Sequence, residues 1–394
     1  MVRPVRESGQ VTRRFFEFFA GGGMARAGLG PAWTCAFAND FDHKKSAVYR
    51  LNWGDDVLRT ADVRNLAAHD LPGSPDLVWA SFPCQDLSLA GGGAGLRGDR
   101  SGTFWPFWSI MKGLIIEGRA PRIIALENVL GTLTSHGGKD FSAICSSFTD
   151  AGYRFGALVA DAALFLPHSR PRLFVIGIRN DVDIPIALSS AGPSPVWHSK
   201  GLVQAYDRLP ERDQNAWLWW SMPTPPARKA TFAELIEDHP ADIAWHSPDE
   251  TASLLAMMSP LHLAKVEAVK RLGRKVVGTI YKRTRVDEAG FKVQRAEVRF
   301  DEIAGCLRTP AGGSSRQLIL VVEKGRIRSR LISGRETARL MGLPEEYRLP
   351  GTYNETYHLT GDGVVVPVVR HLAQSLFEPI LDKDPESKIR RAAA

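Results

Sequence analysis

Residues 14–29 read RFFEFFAGGGMARAGL, and this stretch indicates the fold class. Its aromatic first part predicts a buried β-strand. Three glycines, Gly21, Gly22 and Gly23, follow at once, and small residues suited to a helix come next. A strand, a glycine turn and a helix form the first unit of a nucleotide-binding α/β sheet, in which glycines allow a ligand to approach the backbone closely. A plain tight turn without a ligand would give the same pattern.

Strands and helices go on alternating until about residue 181. Predicted strands occupy 34–38, 77–79, 122–126, 154–159 and 173–178, and predicted helices occupy 42–51, 103–117 and 140–151. This alternation is typical of a nucleotide-binding α/β domain with a parallel sheet. In such a domain, ligands bind at the carboxyl ends of the strands.

An acidic residue follows the second predicted strand, which ends in Asn39-Asp40. In a nucleotide-binding sheet, an acidic residue about 20 positions after the glycine turn holds a ribose hydroxyl. The alternative is a cap for the following helix, although Asp42 serves that purpose equally well. Asp62 closes the next short segment.

A cysteine and a glutamate each follow a buried apolar strand. Cys84 comes after the run 77–79 and precedes a loop with five glycines between positions 91 and 98, and Glu127 comes after 122–126. In a parallel sheet both would open at the same edge, where an α/β enzyme places its nucleophile. The alternatives are an inert buried thiol and a solvated loop carboxylate.

Two arginines, Arg170 and Arg172, lead into the strand predicted over 173–178. Side chains two positions apart in a strand point to the same face, so the pair can clamp a phosphate or a carboxylate. Solvated arginines at the edge of the sheet are the alternative interpretation.

The composition changes at about residue 182. Seven prolines lie between 185 and 226, and the strand–helix alternation is lost, which indicates a domain boundary. Helices are predicted over 249–258 and 261–272, and a β-hairpin over 276–283 and 291–300. Nine basic residues against three acidic ones between 271 and 300 suit the phosphates of a DNA groove, and a solvated basic face is the alternative.

The C-terminal part returns to regular elements. A strand is predicted over 318–322, and a helix over 333–341 begins with a capping box of Ser333 and Glu336. The motif Gly361-Asp362-Gly363-Val364 then leads into a final helix that ends near residue 377.

The overall composition fits a globular protein of 394 residues, 44% of them hydrophobic. A net charge of +7 permits a nucleic-acid partner. Four cysteines without a C-x-x-C pair argue against structural zinc and a disulfide framework. The polar N-terminus and the lack of an apolar run near the roughly 20 residues of a membrane span lead us to expect a cytoplasmic protein.

These motifs, in this order, resemble those of the cytosine-C5 DNA methyltransferases, most closely the bacterial enzymes. The match covers nearly the whole chain and comprises Phe19-Ala20-Gly21-Gly22-Gly23 for F-x-G-x-G, Asn39-Asp40 for the ribose position, Asp62 for the adenine position, Phe82-Pro83-Cys84-Gln85 for P-C-Q, Glu127-Asn128-Val129 for E-N-V, Arg170 and Arg172 for Q-x-R-x-R, and 361–364 for G-N-x-V. Three positions depart from the family pattern. His168 stands where Gln is usual, Asp362 where Asn is usual, and Met24 where a further glycine is common.

The resemblance implies transfer of a methyl group from S-adenosylmethionine to C5 of a cytosine that is flipped out of duplex DNA, without a metal. Cys84 would attack C6 as a thiolate and Glu127 would bind N3 and the exocyclic amine, while Arg172 and Arg170 would hold the base carbonyl and a flanking phosphate. The implied cofactor-binding residues are Phe19, Ala20, Gly21, Gly22, Gly23, Asn39, Asp40, Phe41, Asp62, Val63, Pro83, Asp362 and Val364.

The resemblance also implies how the chain meets its substrate. The expected DNA contacts are Gln85, Ser88, Arg100, Asn128, Lys282, Arg283, Arg285, Arg295, Arg308, Thr309, Ser314 and Arg316. Residues 1–185 and 323–394 would form a Rossmann-like catalytic domain with a mixed, mostly parallel sheet. Residues 186–322 would form a smaller, irregular α+β target-recognition domain. We expect a nucleoid-associated monomer that binds double-stranded DNA and no membrane. It would act either beside a cognate restriction endonuclease or as a solitary epigenetic methyltransferase. A tRNA cytosine methyltransferase and an inactive DNA-binding regulator on the same scaffold stay as alternatives.

Overall fold

The computed structural model describes residues 13–83, 101–286, 290–308 and 316–383. The chain forms two compact units. The first comprises 1–160, 171–225 and 366–394, and the second comprises 161–170 and 226–365. These limits differ from the expected boundaries after residues 185 and 322, because the proline-rich segment packs with the first unit and the residues after the hairpin pack with the second. The expected division of function between two domains stays a prediction.

Within the described residues, the first unit is built on a seven-stranded sheet with the strand order β3-β2-β1-β4-β5-β7-β6. Its strands are β1 (Arg13–Phe18), β2 (Trp33–Asp40), β3 (Leu58–Thr60), β4 (Leu77–Ala80), β5 (Ile123–Asn128), β6 (Tyr153–Asp161) and β7 (Pro171–Arg179). β1 to β5 are parallel, whereas β7 runs antiparallel to β5. The predicted α/β class with a mixed, mostly parallel sheet is confirmed.

Helices cover this sheet. They are α1 (Met24–Leu29), α2 (His43–Trp53), α3 (Phe104–Ile116), α4 (Lys139–Asp150), α5 (Lys200–Tyr206), α6 (Glu211–Asn215), α12 (Val366–Leu372) and α13 (Glu378–Lys383), and a short strand pair, β8 (Ser189–Ser190) and β9 (Trp219–Trp220), lies beside them. Every residue of β4 and β5 is buried, which is typical of a parallel sheet with helices on both faces. The core is rich in aromatic side chains such as Phe18, Phe107, Trp108 and Phe148.

The second unit contains an antiparallel sheet with the order β11-β10-β12-β13 among the residues described there. Its elements are α7 (Phe232–Leu235), α8 (Pro248–Ala256), α9 (Pro260–Lys270), β10 (Val276–Val286), β11 (Lys292–Arg299), β12 (Leu318–Glu323), β13 (Arg326–Leu331), α10 (Gly334–Leu340) and α11 (Tyr353–Asp362). The predicted hairpin is confirmed, as is the capping box of Ser333 and Glu336. β13 was not predicted, although its sequence Arg-Ile-Arg-Ser-Arg-Leu alternates arginine with other residues as a strand does.

By length and composition alone, the helical stretch Tyr353–Lys383 could span a membrane. However, 56% of its most apolar window is buried within the protein. Helices in the core of a soluble protein have the same composition, so this stretch is weak evidence for a membrane span.

Candidate active site

The glycine turn follows β1 directly and has an unusual backbone. Phe19, Gly21 and Gly23 have φ angles of 56°, 55° and 79°, in the left-handed region that glycine adopts readily. A Cβ atom on Gly23 would lie 2.3 Å from Nε1 of Trp53, whereas no described atom lies within 4 Å of a Cβ placed on Gly21. The turn is therefore fixed at Gly23 and open at Gly21.

Trp53 supports this turn from the end of α2. Its Nε1 donates a hydrogen bond to the Gly22 carbonyl at 3.0 Å. The Arg26 guanidinium lies 4.9 Å from the centre of the Trp53 ring and donates to Tyr49 Oη at 3.0 Å. Sequence reasoning missed Trp53, because its partner lies 31 positions earlier and the pair forms no local pattern.

Asp40 ends β2 and holds the glycine turn from the other side. Its Oδ2 accepts the Gly21 N–H and its Oδ1 accepts the Asp42 N–H, both at 2.8 Å. Burial raises the pKa of the Asp40 carboxyl above its usual range, although the two N–H groups act in the opposite direction. Phe41 comes next, with 63% of its surface exposed, and can offer its ring to a planar ligand. The ribose contact of Asp40 stays a prediction.

Asn39 was expected to bind the cofactor, and its buried side chain has another task. The amide Nδ2 donates to the carbonyls of Arg59 and Ala61, at 2.9 and 2.8 Å, and so joins the end of β2 to the segment before Asp62. Asn39 is therefore a positioning residue. The side chain of Val63 is also unavailable to a ligand, because it is buried in the hydrophobic core.

Asp62 begins a short helical turn. Its Oδ1 accepts the Arg64 N–H at 2.9 Å, and its Oδ2 lies 3.6 Å from the Arg64 guanidinium. The carboxylate is partly exposed, so it keeps capacity for a further hydrogen bond. Its expected contact with an adenine amino group stays a prediction.

The ends of β1, β2 and β4 lie side by side, because Phe18 pairs with both Asn39 and Ala80. The glycine turn, Asp40 and the segment after β4 therefore open at one edge of the sheet. The chain is described as far as Pro83 in this segment. The predicted nucleophile Cys84 and the predicted DNA contacts Gln85, Ser88 and Arg100 lie outside the described residues, and their roles stay predictions.

Glu127 and Arg172 meet at the same edge. Glu127 lies near the end of β5 and pairs in register with Phe174, so antiparallel β7 begins where β5 ends. The Arg172 Nε atom lies 3.2 Å from Glu127 Oε1, and the two side chains are only 14% and 8% exposed. The carboxylate is thus a buried, ion-paired group and not a solvated loop residue.

Asn128 was expected to contact DNA, but the structure gives it a positioning role. Its Nδ2 donates to the Phe82 carbonyl at 3.1 Å. Its Oδ1 accepts from the Val129 N–H at 2.8 Å and from Thr132 Oγ1 at 3.2 Å. The buried amide therefore ties the end of β5 to the backbone two residues before Cys84.

Arg170 was expected to share a face and a role with Arg172, and this interpretation is wrong. The Arg170 guanidinium is buried in the second unit, where it donates to the carbonyls of Leu307 at 3.0 Å, Gly361 at 2.7 Å and Gly363 at 2.8 Å. Through these backbone contacts, the guanidinium of Arg170 joins its own segment to the segments around Leu307 and around Gly361 and Gly363. Arg170 thereby fixes the backbone around Asp362.

His168 is fully buried in the second unit. Its Nδ1 lies 3.0 Å from the Leu340 carbonyl and its Nε2 lies 3.4 Å from the Leu307 N–H. The carbonyl requires a proton on Nδ1 and the N–H requires an acceptor at Nε2, so the imidazole is neutral and bridges two backbone groups. A glutamine, with one donor and one acceptor, can make the same bridge. Asp362 at the end of α11 and the buried Val364 keep their cofactor roles as predictions.

The basic residues predicted to contact DNA fall in the second unit. Lys282, Arg283 and Arg285 are exposed on β10, and Arg295 is half-buried on β11. Arg308 is exposed, whereas Arg316 is half-buried, hydrogen-bonds to Asn354 and lies 5.5 Å from the centre of the Tyr353 ring. Thr309 and Ser314 lie outside the described residues.

Comparison with known proteins gives consistent matches. A family model described as C-5 cytosine-specific DNA methylase matches residues 13–378. Type II methyltransferase M.Bsp6I of Bacillus sp. (strain RFL6) is 24% identical over 352 residues, which are 88% of this chain and 91% of that protein. Type II methyltransferase M.HhaI of Haemophilus parahaemolyticus is 24% identical over 365 residues, 92% of this chain and 94% of that protein. A crystal structure of a putative DNA modification methyltransferase from an E. coli prophage shares the fold, with a TM-score of 0.56 at 15% identity over 94% of this chain and 100% of that chain.

Proposed function

Because the chain belongs to the family of C-5 cytosine-specific DNA methylases, we propose that Cys84, Glu127 and Arg172 carry out methylation at C5 of a cytosine in a specific double-stranded DNA sequence. The chain is a DNA cytosine methyltransferase, and S-adenosylmethionine is the methyl donor that the family implies. The proposal concerns how this chain's own residues perform the reaction.

The residues around the glycine turn fit the donor. The turn is open at Gly21, and the exposed ring of Phe41 stands next to the buried Asp40 carboxylate. Each Asp40 oxygen accepts one backbone N–H and keeps a lone pair for a ribose hydroxyl. We assign adenine stacking to Phe41 and recognition of the adenine amino group to Asp62. When bound, S-adenosylmethionine would supply a methyl group on a positively charged sulfur, and S-adenosylhomocysteine, a neutral thioether, would be the product that leaves.

The protein's chemical task is to make C5 of cytosine a nucleophile. The Cys84 thiolate forms a bond from Sγ to C6, and the electrons of the C5–C6 double bond move toward C5 and the ring. Glu127 hydrogen-bonds or protonates N3 and so stabilises the charge that develops there. After C5 has gained its methyl group, loss of the C5 proton to water lets Sγ leave and restores the ring.

The ion pair of Glu127 and Arg172 carries this proposal. It brings a carboxylate and a guanidinium to the sheet edge that also holds the glycine turn and Pro83. Arg172 orients the carboxylate, and its remaining donors are suited to the base carbonyl. Asn128 links the same acid to the strand end that leads into Cys84.

The functional partners follow from the family and from charge. We propose that residues 186–322 read the DNA sequence and that 1–185 with 323–394 perform catalysis. The similarity to type II methyltransferases supports a role beside a cognate restriction endonuclease. An enzyme that acts without such a partner would make the same modified base.

The test uses the full-length protein, S-adenosylmethionine and unmethylated genomic DNA, with bisulfite sequencing as the readout. We expect 5-methylcytosine within one sequence motif, and none with Cys84→Ala, although that variant should still bind the cofactor in calorimetry. Full methylation by Cys84→Ala would contradict the mechanism. Methylation of tRNA in preference to duplex DNA would contradict the substrate assignment.

A further inference from the structure

The hairpin of β10 and β11 extends beyond the sheet that carries it. The two strands pair from Thr279 and Arg299 out to Val286 and Lys292, whereas β12 pairs only with Val276–Ile280. Residues 281–286 and 292–297 therefore extend past β12 as a two-stranded ribbon, which we call the recognition ribbon. At its base the Ala296 N–H donates to the Met257 carbonyl at 3.1 Å. Its described residues include five basic side chains and one acidic side chain, and the turn acids Asp287 and Glu288 lie outside the described residues.

Alternation along the strands gives the ribbon two different faces. One face carries Tyr281, Arg283, Arg285, Arg295 and Glu297. Two of its three arginines share one carboxylate: Arg285 Nε lies 2.6 Å from Glu297 Oε1 and Arg283 Nε lies 3.6 Å from Glu297 Oε2. The Arg283 guanidinium also lies 5.4 Å from the centre of the Tyr281 ring. This face keeps a net positive charge, because three arginines stand against one glutamate, but Glu297 holds two of those arginines in place.

The opposite face, which we call the open face, carries Lys282, Thr284, Lys292 and Gln294. All four residues are exposed, and in the part of the chain that the structure describes none of their side chains has a hydrogen-bond or ion-pair partner. Thr284 and Gln294 stand directly opposite each other across the two strands. The open face thus combines two unpaired positive charges with a hydroxyl and an amide whose hydrogen-bonding capacity is unused.

We propose that the open face reads the target sequence, with Thr284 and Gln294 at the base edges of the major groove and Lys282 and Lys292 at the phosphates. The major groove of DNA admits a two-stranded β-ribbon. A glutamine amide matches the N6 and N7 atoms of adenine, and a threonine offers its methyl group to thymine or its hydroxyl to any base. Lysines supply the sequence-independent attraction. This inference rests on the proposed function as a DNA methyltransferase. It assigns recognition of the bases to the open face and not to the arginines that were expected to contact DNA.

The test compares the methylation motifs of full-length variants by bisulfite sequencing. The variant with Thr284→Ala and Gln294→Ala should keep methyl transfer but relax the motif at one or two positions, so that discrimination there falls at least about fivefold. Gln294→Glu should change the preferred base at one of those positions, because a carboxylate accepts from cytosine N4. Val293→Ala, on the face that carries Arg283 and Arg285, is the matched control and should leave the motif unchanged.

The double variant Lys282→Ala, Lys292→Ala should bind all duplexes more weakly, to a similar extent. The slope of log K against the logarithm of the salt concentration should become shallower by up to about two phosphate contacts. An unchanged motif in both the Thr284/Gln294 and the Gln294→Glu variants, or a relaxed motif in Val293→Ala, would overturn the inference. These results differ from failure of the proposed function itself, in which the unaltered protein would give no 5-methylcytosine and both conclusions would fall.

Discussion

Arg172 Nε lies 3.2 Å from Glu127 Oε1, and this buried contact joins the end of β5 to the start of β7. Both groups are largely buried, so each charge needs the other as its counter-ion. Removal of either partner would leave an unpaired buried charge, which destabilises the folded protein. The pair also stands at the edge of the sheet where the chain continues from Pro83 toward Cys84. The carboxylate is therefore held in one orientation before any base arrives, which is the preorganisation that charge stabilisation requires.

Replacement of Glu127 by Gln tests the acid. Gln keeps the shape and a hydrogen-bonding oxygen but cannot supply a proton to N3. We expect kcat for methyl transfer to fall by roughly 10²–10⁴-fold with little change in cofactor affinity. Steady-state kinetics with tritiated donor would measure the effect. The control Glu346→Gln, at an exposed position, should be fully active, and a Glu127→Gln enzyme with kcat near that of the control would refute the role.

Replacement of Arg172 by Met tests the positioning of that acid. The change leaves a buried carboxylate unpaired, which costs up to about 3–5 kcal/mol of unfolding free energy. Adding Glu127→Gln should restore much of the stability without restoring activity, because the neutral amide no longer needs a counter-ion. Urea unfolding and methyl-transfer rates of the two single variants and the double variant give the coupling. Additive losses of stability would show that the two side chains do not act as a unit.

Asn128 should influence Cys84 without touching the substrate. Asn128→Asp cannot donate to the Phe82 carbonyl, so the backbone that leads into Cys84 loses its anchor. We expect kcat to fall by about tenfold or more and the rate of Cys84 alkylation to change. Peptide mass spectrometry would measure the alkylation rate. Thr132→Val removes only the hydroxyl that donates to Asn128 Oδ1 and should change both values much less. Unaltered Cys84 alkylation in Asn128→Asp would leave Asn128 with a purely structural role.

The sequence predicted the sheet and its functional edge, because strand ends and glycine turns are local patterns. It predicted Arg170 and Arg172 as one pair, and the structure separates them. Their spacing was right for one face of a strand, but β7 begins only at Pro171, and Arg170 turns to carbonyls as far away as Gly363. The partners of Asn128 lie up to 46 positions away, so its task could not be recognised from its neighbours.

His168 can be tested by the residue that the family pattern favours. Gln can donate to the Leu340 carbonyl and accept from the Leu307 N–H, so His168→Gln should keep stability within about 1 kcal/mol and keep activity. His168→Leu leaves two buried backbone groups without their partner and should lose about 2–4 kcal/mol. Thermal and urea unfolding would compare the variants. A His168→Gln protein as unstable as His168→Leu would mean that the ring shape matters and the bridge does not.

Glu17 makes the stability depend on pH in an unusual direction. Its side chain is fully buried in β1, Oε1 accepts the Arg26 N–H at 3.3 Å, and Oε2 has no hydrogen-bond partner among the described residues. Burial raises its pKa from 4.5 to about 8. Between these values the unfolded chain releases a proton that the folded protein keeps, so stability falls as pH rises, by up to about 5 kcal/mol in total.

Glu17→Gln removes this proton while keeping an acceptor for Arg26. We expect the variant to lose the part of the pH dependence between about pH 5 and 8 that Glu17 causes. It should be more stable than the unaltered protein at pH 8, because the latter then carries a buried carboxylate with an unpaired oxygen. Urea midpoints at pH 5, 6, 7 and 8 would measure the difference between the two proteins. If that difference stays constant across the series, Glu17 does not ionise in this pH range, and other interactions must offset the cost of burying its carboxyl group.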